Sequence, residues 1–476
     1  MSTFGNLLAF SPELWLLAGA VVVFLLARFA PGTTTTVALV ALVGALLALA
    51  TQFKETITIL DGAFTLDGFA VVVDVVLLVA AGLALLASKA DVLPGESPAA
   101  AVPGFFLLAT LGALLAASAA EMVSVFLSLE LVAVNLYVLS ALARRGAGAV
   151  SASLGYLAVG AASSGLILYG MALVFGLSGQ TNLSAAGRAL ASVNPNQAAV
   201  WLALSLLLGG FAFRLGLLPL RWWTRGFEVG IPLRVVVFVQ SVGVVAAFAV
   251  FGRLAVATFS GTRIAYPVAI AIVAAVAMTA GNILALAQTS LRRLLAYSSI
   301  AQAGFALMAF TDVKRIGISA LLVFLVALAL TSLGAFGTVI AYARSVHSDA
   351  IRDLAGMWRW SSVLALALVV AFLSLAGLPP LAGFFGKLLV LQAAVDGGYA
   401  WLAVIGVANM VLAAFGYLRV VRTAFLDSPV FEVAPVRLDG GIRATVGLAS
   451  AGIVFMGLLM GPLYAAASYG RAALLH

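Results

Sequence analysis

The strongest constraint on the fold is a succession of apolar stretches, each about 20 residues long and separated by short polar segments. A helix needs roughly 20 mostly apolar residues to cross a bilayer. The chain is 64% hydrophobic and 9% charged, whereas an average soluble domain is about 25% charged. The sequence therefore predicts an all-α, polytopic membrane bundle that forms a single membrane domain over residues 1–476.

About fourteen transmembrane helices are predicted, because fourteen stretches are long and apolar enough. They lie at about 12–29, 36–53, 68–88, 104–120, 122–142, 150–176, 198–220, 232–257, 265–287, 294–310, 316–343, 361–395, 400–425 and 443–468. The first stretch has no positively charged leader and no small-residue cleavage site, so we expect a retained span rather than a signal peptide.

Composition also narrows the chemistry of the chain. There is no cysteine, and the only histidines are His347 and His476, so we expect neither a metal site nor a redox centre in this chain. The formal net charge is +8, but Lys and Arg lie singly or in pairs near span ends and form no basic patch. A nucleic-acid partner is therefore not expected, and the lipid bilayer is.

The distribution of basic residues predicts the topology. Most Lys and Arg follow odd-numbered spans, and by the positive-inside rule these ends face the cytoplasm. Both termini are then predicted to lie outside the cytoplasm. Only two basic residues, Arg214 and Lys387, are expected to lie within spans.

Two spans contain similar proline interruptions. Gly216 and Pro219 interrupt the seventh span, and Gly377 is followed by Pro379 and Pro380 in the twelfth. Proline removes a backbone donor, which a membrane tolerates where protein or water satisfies the freed groups. Each break taken alone is equally compatible with an ordinary proline kink.

The spacing of the breaks predicts an internal repeat. The breaks lie five spans apart, and an odd number of spans gives the two units opposite orientations, as in many ion transporters. We therefore predict three N-terminal helices in 1–103, inverted five-helix repeats in 104–257 and 258–425, and a C-terminal helix in 426–476.

Four charged side chains fall at membrane depth, where charges are costly and usually functional. Glu130 has no basic neighbour one helical turn away, and Arg214 is its candidate partner on another helix. This pair is either part of an ion route or a structural ion pair. Lys387 suits proton relay, because a desolvated ammonium group can lose its proton, but it could also be paired with a carboxylate or snorkel to the interface. Asp74 lies outside both repeats and could serve structure, a subunit interface or a pathway.

Polar side chains in the tenth span could bridge these charges through water. They are Ser298, Ser299 and Gln302. Such residues also hold membrane helices together, so each is a weak signal taken alone.

At these residues the chain closely resembles the N-type antiporter-like subunit of respiratory complex I, the bacterial NADH-quinone oxidoreductase, and more broadly Mrp-type antiporter subunits. The segments that carry the resemblance are SPEL at 11–14, FLSLEL at 126–131, SSGLILYG at 163–170, LRRLLAYSSIA at 291–301 and LAGLPPLAGFFGK at 375–387. The resemblance implies a bacterial plasma-membrane location and a proton pathway through Glu130, Arg214 and Lys387. It places NADH, FMN, iron–sulfur clusters and quinone in partner subunits, and implies neighbouring antiporter-like membrane subunits.

The chain departs from the family pattern at three relay positions. Gly155 and Val244 occupy the positions of lysines in the sixth and eighth spans, and Gln302 occupies that of a histidine in the tenth. Arginine also replaces the seventh-span lysine, and a guanidinium group does not release its proton in proteins. The resemblance therefore implies a diverged first half-channel, with Lys387 as the best remaining relay.

Two other functions remain open at this stage. One is a cation/proton antiporter subunit that works without an electron-transfer partner. The other is a scaffold subunit that keeps the fold and conducts no ions.

Overall fold

A computed structural model describes residues 9–52, 56–88, 99–142, 147–192, 197–217, 231–262, 266–429 and 438–475. The long helices are α1 Ser11–Phe29, α2 Thr34–Ala50, α3 Gly68–Ser88, α4 Val102–Ser118, α5 Met122–Leu142, α6 Ala147–Ser178, α7 Gln197–Arg214, α8 Leu233–Phe259, α9 Tyr266–Leu286, α10 Leu291–Thr311, α11 Gly317–Val346, α12 Ser362–Ala376, α13 Ala382–Asp396, α14 Ala400–Leu426, α15 Gly440–Leu458 and α16 Met460–Leu475.

The described helices have the lengths and composition of membrane spans. Eleven of them are long and apolar enough to cross a membrane, and α4, α7 and α12 are shorter apolar helices. Their outward faces carry exposed large apolar side chains, including Leu25, Val40, Phe415 and Phe455. Contiguous apolar surface of this kind requires lipid or protein around it. The all-α membrane bundle is therefore confirmed, whereas the number of crossings and the inverted repeats stay predictions.

The 30-residue helix α11 lies at the centre of the bundle. Nearly all of its side chains are buried, and it packs against α3, α10, α12, α13, α15 and α16. Helix α3 also packs against α15 and α16. The N-terminal helices are thus joined to the C-terminal ones through a shared core.

Several local elements differ from the sequence prediction. Strands Ile57–Ile59 and Phe64–Leu66 form an antiparallel hairpin before α3, and a short helix, Leu183–Ser192, follows α6. The predicted C-terminal span consists of two helices, because the chain bends at Leu459. Pro462, in the first turn of α16, has no N–H to donate and is tolerated at a helix start.

Both predicted interruptions lie at helix ends. Helix α7 ends at Arg214, and Gly216 has a positive φ of 78°; Pro219 lies outside the described residues. The twelfth span is divided into α12 and α13, with Gly377 at a φ of 82° between them. The backbone N–H of Leu378 donates to the carbonyl of Leu373 at 3.0 Å, which closes the end of α12 in a Schellman-type turn.

Candidate functional site

Glu130 and Arg214 form an ion pair between α5 and α7. The Glu130 Oε1 accepts from an Arg214 guanidinium nitrogen at 2.5 Å and from the Ser164 hydroxyl at 2.6 Å. The second terminal guanidinium nitrogen donates to the Leu129 carbonyl at 3.0 Å. The predicted contact is therefore present, and Ser164 of α6 links three helices at one point.

A small cavity lies beside this ion pair. It has a volume of about 50 Å³, which is room for about three waters. Its lining is mostly apolar and comes from α5, α6, α7 and α8: Leu129, Val132, Ala133, Leu136, Tyr137, Tyr156, Phe213, Arg214, Val239, Gly243, Ala246 and Ala247. Arg214 is the only charged residue among these, so the cavity gives a proton few polar groups to follow.

The interruption between α12 and α13 releases backbone carbonyl groups. In a continuous helix the carbonyl of Leu375 would accept from the residue four positions later, which is Pro379 and has no N–H. A buried carbonyl without a donor is costly, by about 1–3 kcal/mol. The break thus creates a buried acceptor that another side chain must satisfy.

Lys387 of α13 supplies that donor. Its Nζ donates to the Leu375 carbonyl and lies 4.5 Å from the centre of the Phe305 ring, a cation–π contact. The side chain is 1% exposed, so it does not snorkel to the surface. In the part of the chain that the structure describes, no carboxylate forms an ion pair with Lys387.

Polar groups connect Lys387 to the tenth helix. The Gln302 side-chain amide donates to the same Leu375 carbonyl at 3.1 Å. The hydroxyl of Tyr417, on α14, is hydrogen-bonded to Ser298 and interacts with Gln302. A buried polar series therefore runs from Lys387 through Gln302 and Tyr417 to Ser298.

Tyr417 could not be singled out from the sequence, because a single tyrosine inside an apolar span carries no local signal. Ser299 was predicted with this group, but its hydroxyl donates to Ala296 of its own helix at 2.7 Å. The structure thus includes Ser298 and Gln302 in the polar series that begins at Lys387 and leaves Ser299 outside it.

The two other positions predicted to depart from the family pattern lie in different environments. Gly155 is exposed on α6, and a methyl group built on it would meet nothing within 4 Å. Val244 is buried on α8, directly after a π-helical turn at Val239–Gly243. Neither position adds an ionisable group to the region around Glu130.

Two arginines near the ends of α8 are buried as well. Arg234 and Arg253 are inside α8 and are 1% and 6% exposed. Arg253 forms two hydrogen bonds with Asp67, at 2.9 and 3.0 Å, and its Nε donates to the Ala117 carbonyl at 3.0 Å. A buried carboxylate partner explains how this guanidinium group is accommodated in the buried interior near the end of α8.

A bundle of membrane-span helices in which a buried lysine binds a carbonyl freed by a broken helix has the features of an ion-translocating membrane protein. Residues 119–413 match the family model described as NADH:quinone oxidoreductase/Mrp antiporter, TM. A curated relative, NADH-quinone oxidoreductase subunit N of Trichlorobacter lovleyi, is 31% identical over 460 residues, covering 95% of this chain and 94% of the relative. The chain belongs to this subunit N family of antiporter-like membrane proteins.

Solved structures show the same fold. Respiratory complex I from Thermus thermophilus with bound aureothin contains a chain that is 29% identical, with a TM-score of 0.79 and coverage of 95% of this chain and 98% of that one. A chain of the Mrp complex from Dietzia sp. DQ12-45-1b has a TM-score of 0.86 at 20% identity, covering 98% of this chain and 97% of that one. At that identity the likeness concerns the fold alone.

Proposed function

We propose that this chain is a membrane-arm subunit of a proton-pumping NADH-quinone oxidoreductase and that it carries protons when quinone is reduced elsewhere in the complex. The observation that carries the proposal is the buried Lys387 at the carbonyl of the α12–α13 break. NADH, FMN, iron–sulfur clusters and quinone belong to partner subunits in this proposal. Other membrane subunits, including antiporter-like ones, are the neighbours of this chain.

Lys387 is the proton-exchanging group in this account. An ammonium group is a compact charge that releases a proton when its surroundings disfavour the charge. At Lys387 burial among apolar helices opposes the charge, whereas the Leu375 carbonyl and the Phe305 ring stabilise it. Gln302, Tyr417 and Ser298 are positioned to order water on one side of it. A charge change in a neighbouring subunit would alter the proton affinity of Lys387 and so couple quinone reduction to proton movement.

Glu130 and Arg214 form a permanent structural ion pair in this proposal. Arg214 cannot release a proton, and its hydrogen bonds to Glu130, Ser164 and Leu129 hold α5, α6 and α7 together. The adjoining cavity is lined mainly by apolar side chains. The first half of the chain is therefore a diverged half-channel. It passes on changes in charge and in helix packing but carries no protons.

We propose that the chain lies in a bacterial plasma membrane with both termini outside the cytoplasm. The excess of Lys and Arg after odd-numbered spans supports this orientation. Arg253 contacts Asp67 and Ala117, so the start of α3 lies beside the ends of α4 and α8. Spans that alternate in direction across the membrane put these three helix ends on the same side. In this proposal α4 to α8 and α9 to α14 form the two inverted repeats.

Gentle purification of the tagged chain from its native membrane tests the proposed assembly. We expect flavin and iron–sulfur subunits to co-purify, together with NADH-dependent quinone reduction in the same fraction. A tagged membrane protein of unrelated function serves as the control. Recovery of small Mrp-type membrane subunits without any redox subunit would contradict the proposal and favour a cation/proton antiporter.

The position of Lys387 depends on the absence of a side chain at Gly377. A Gly377→Ala substitution would place a methyl group 2.9 Å from Lys387 Cδ and 2.8 Å from Met410 Cε. It would also force a positive φ on alanine, which costs about 1–2 kcal/mol. We expect lower thermal stability and fewer protons taken up per electron transferred, the latter measured in proteoliposomes.

Gly398→Ala is the matched control for this prediction. Gly398 has a φ of 85°, but a methyl group there would meet nothing within 4 Å. It should therefore lower stability by a similar amount and leave proton uptake per electron unchanged. Equal proton uptake in the two variants would show that displacement of Lys387 does not matter.

A further inference from the structure

A second group of buried charges lies where the N-terminal helices α1 and α3 meet α4 and α8 of the first predicted repeat. Asp67 precedes α3, accepts the backbone N–H of Ala70 at 2.8 Å and binds Arg253 through both carboxylate oxygens. The Nε of Arg253 donates to the Ala117 carbonyl. This carboxylate and this guanidinium group neutralise each other.

Two further carboxyl groups lie in the same region without such a partner. Glu13, in the first turn of α1, is 7% exposed, and Asp74, two turns into α3, is 1% exposed. Glu13 Oε2 and Asp74 Oδ1 have no hydrogen-bond partner among the described residues. Asp74 is close enough to interact electrostatically with Glu13, Arg253 and Asp67.

The charges of this cluster do not balance if every group is ionised. One guanidinium group would then face three carboxylates, and two negative charges would remain uncompensated in an apolar interior. Isolated ionised carboxylates are not tolerated there, so such a group takes up a proton or pairs with a cation.

Among the described residues, Arg253 is the only basic group that acts electrostatically on either of these two carboxyl groups. Helices α2 and α4, which pack against α1, contain no ionisable side chain. Arg234 of α8, Arg443 of α15 and Arg471 of α16 lie on helices that pack against α3, but the charges that act on Asp74 are those of Glu13, Arg253 and Asp67.

A proton fits this site better than a metal ion. Among the described residues, no group of three or more His, Cys, Asp or Glu side chains converges closely enough to hold a metal. Two carboxyl groups with free oxygens, by contrast, need only one proton each to remove the excess charge. A protonated carboxyl group is also a donor, so it can bond a water or the other acid.

We propose that Glu13 and Asp74 hold an exchangeable proton at a site separate from Lys387. When the proton leaves, the added negative charge competes with Asp67 for the guanidinium group of Arg253. Arg253 is part of α8, and the same helix supplies Val239, Gly243, Ala246 and Ala247 to the cavity beside Arg214. The protonation state of this N-terminal site thereby acts on the helix that borders the Glu130–Arg214 pair.

Infrared difference spectroscopy of the intact complex tests this proposal. The difference between spectra recorded at low and at high pH should contain the C=O stretching band of a protonated carboxylic acid. This band is present at low pH and is lost as the proton leaves. We expect both Glu13→Gln and Asp74→Asn to remove or shift that band. The readout does not require that the chain pumps protons, so it is independent of the proposed function.

Asp396→Asn provides the control, because Asp396 is an exposed carboxylate at the end of α13 and its removal should leave the band unchanged. Asp74→Asn should also assemble with wild-type thermal stability, since it replaces a neutral acid by a neutral amide. Should either variant fail to assemble, the other decides the matter. A band that is identical in wild-type and variant protein overturns the proposal.

Discussion

An Asp67→Asn substitution is expected to destabilise the protein by about 3–5 kcal/mol, the usual cost of removing one partner from a buried ion pair. Arg253 would keep its charge, because a guanidinium group is always protonated in proteins. Glu13 and Asp74 are not hydrogen-bonded to Arg253 in the described structure, so the contacts at 2.9 and 3.0 Å would lose their carboxylate. The measurement is the thermal unfolding midpoint of the purified complex or chain.

Two comparison variants make this prediction specific. Asp427→Asn removes a half-exposed carboxylate that lies 4.0 Å from Arg422, and it should cost less than about 1 kcal/mol. The double variant Asp67→Leu with Arg253→Met should recover most of the loss, because apolar residues often replace a buried ion pair without penalty. Equal effects of Asp67→Asn and Asp427→Asn would contradict a structural role for the pair.

The interruption at α12–α13 could be predicted from sequence, because its signals are local. Two consecutive prolines cannot continue a helix, and glycine is the preferred residue where φ is positive. Lys387 was recognisable because a single charge inside an apolar span has a high energetic cost. Its acceptor, the Leu375 carbonyl, follows from counting four residues back from Pro379, but its selection by Lys387 needs the packing of α12 on α13.

The contact between Glu130 and Arg214 was also predictable, since an unpaired charge at membrane depth has a high energetic cost and an opposite charge lowers it. Ser164, which bonds both of them, was only one of several serines in the sequence. Its selection depends on which face of α6 is turned towards α5 and α7. Residue composition does not determine that rotation.

The pair of Asp67 and Arg253 could not be found in the same way. The two residues are 186 positions apart, and each lies near the end of an apolar segment, where charges usually reach water. Only the meeting of α3, α4 and α8 shows that both are buried. The hairpin before α3 was missed for a related reason, because three-residue strands are too short to give a periodic pattern.

A Lys387→Met substitution is expected to have the largest effect on function. It removes the buried amine that exchanges a proton at the Leu375 carbonyl and keeps a flexible side chain of similar length. Loss of a positioned proton-transferring group costs about a hundredfold or more in rate. We expect the variant complex to assemble but to move no protons through this chain on the time scale of quinone reduction.

The matched control is Lys314→Met, which makes the same chemical change on the exposed segment between α10 and α11. It should leave both quinone reduction and proton movement unchanged. Similar losses in the two variants would point to a general defect in assembly.

The most direct measurement is the number of protons taken up per electron transferred by the intact complex in sealed proteoliposomes. We expect a lower ratio for Lys387→Met than for wild-type and Lys314→Met protein. A Lys387→Met complex with the wild-type ratio would contradict proton transfer at the α12–α13 break and leave this chain as a scaffold.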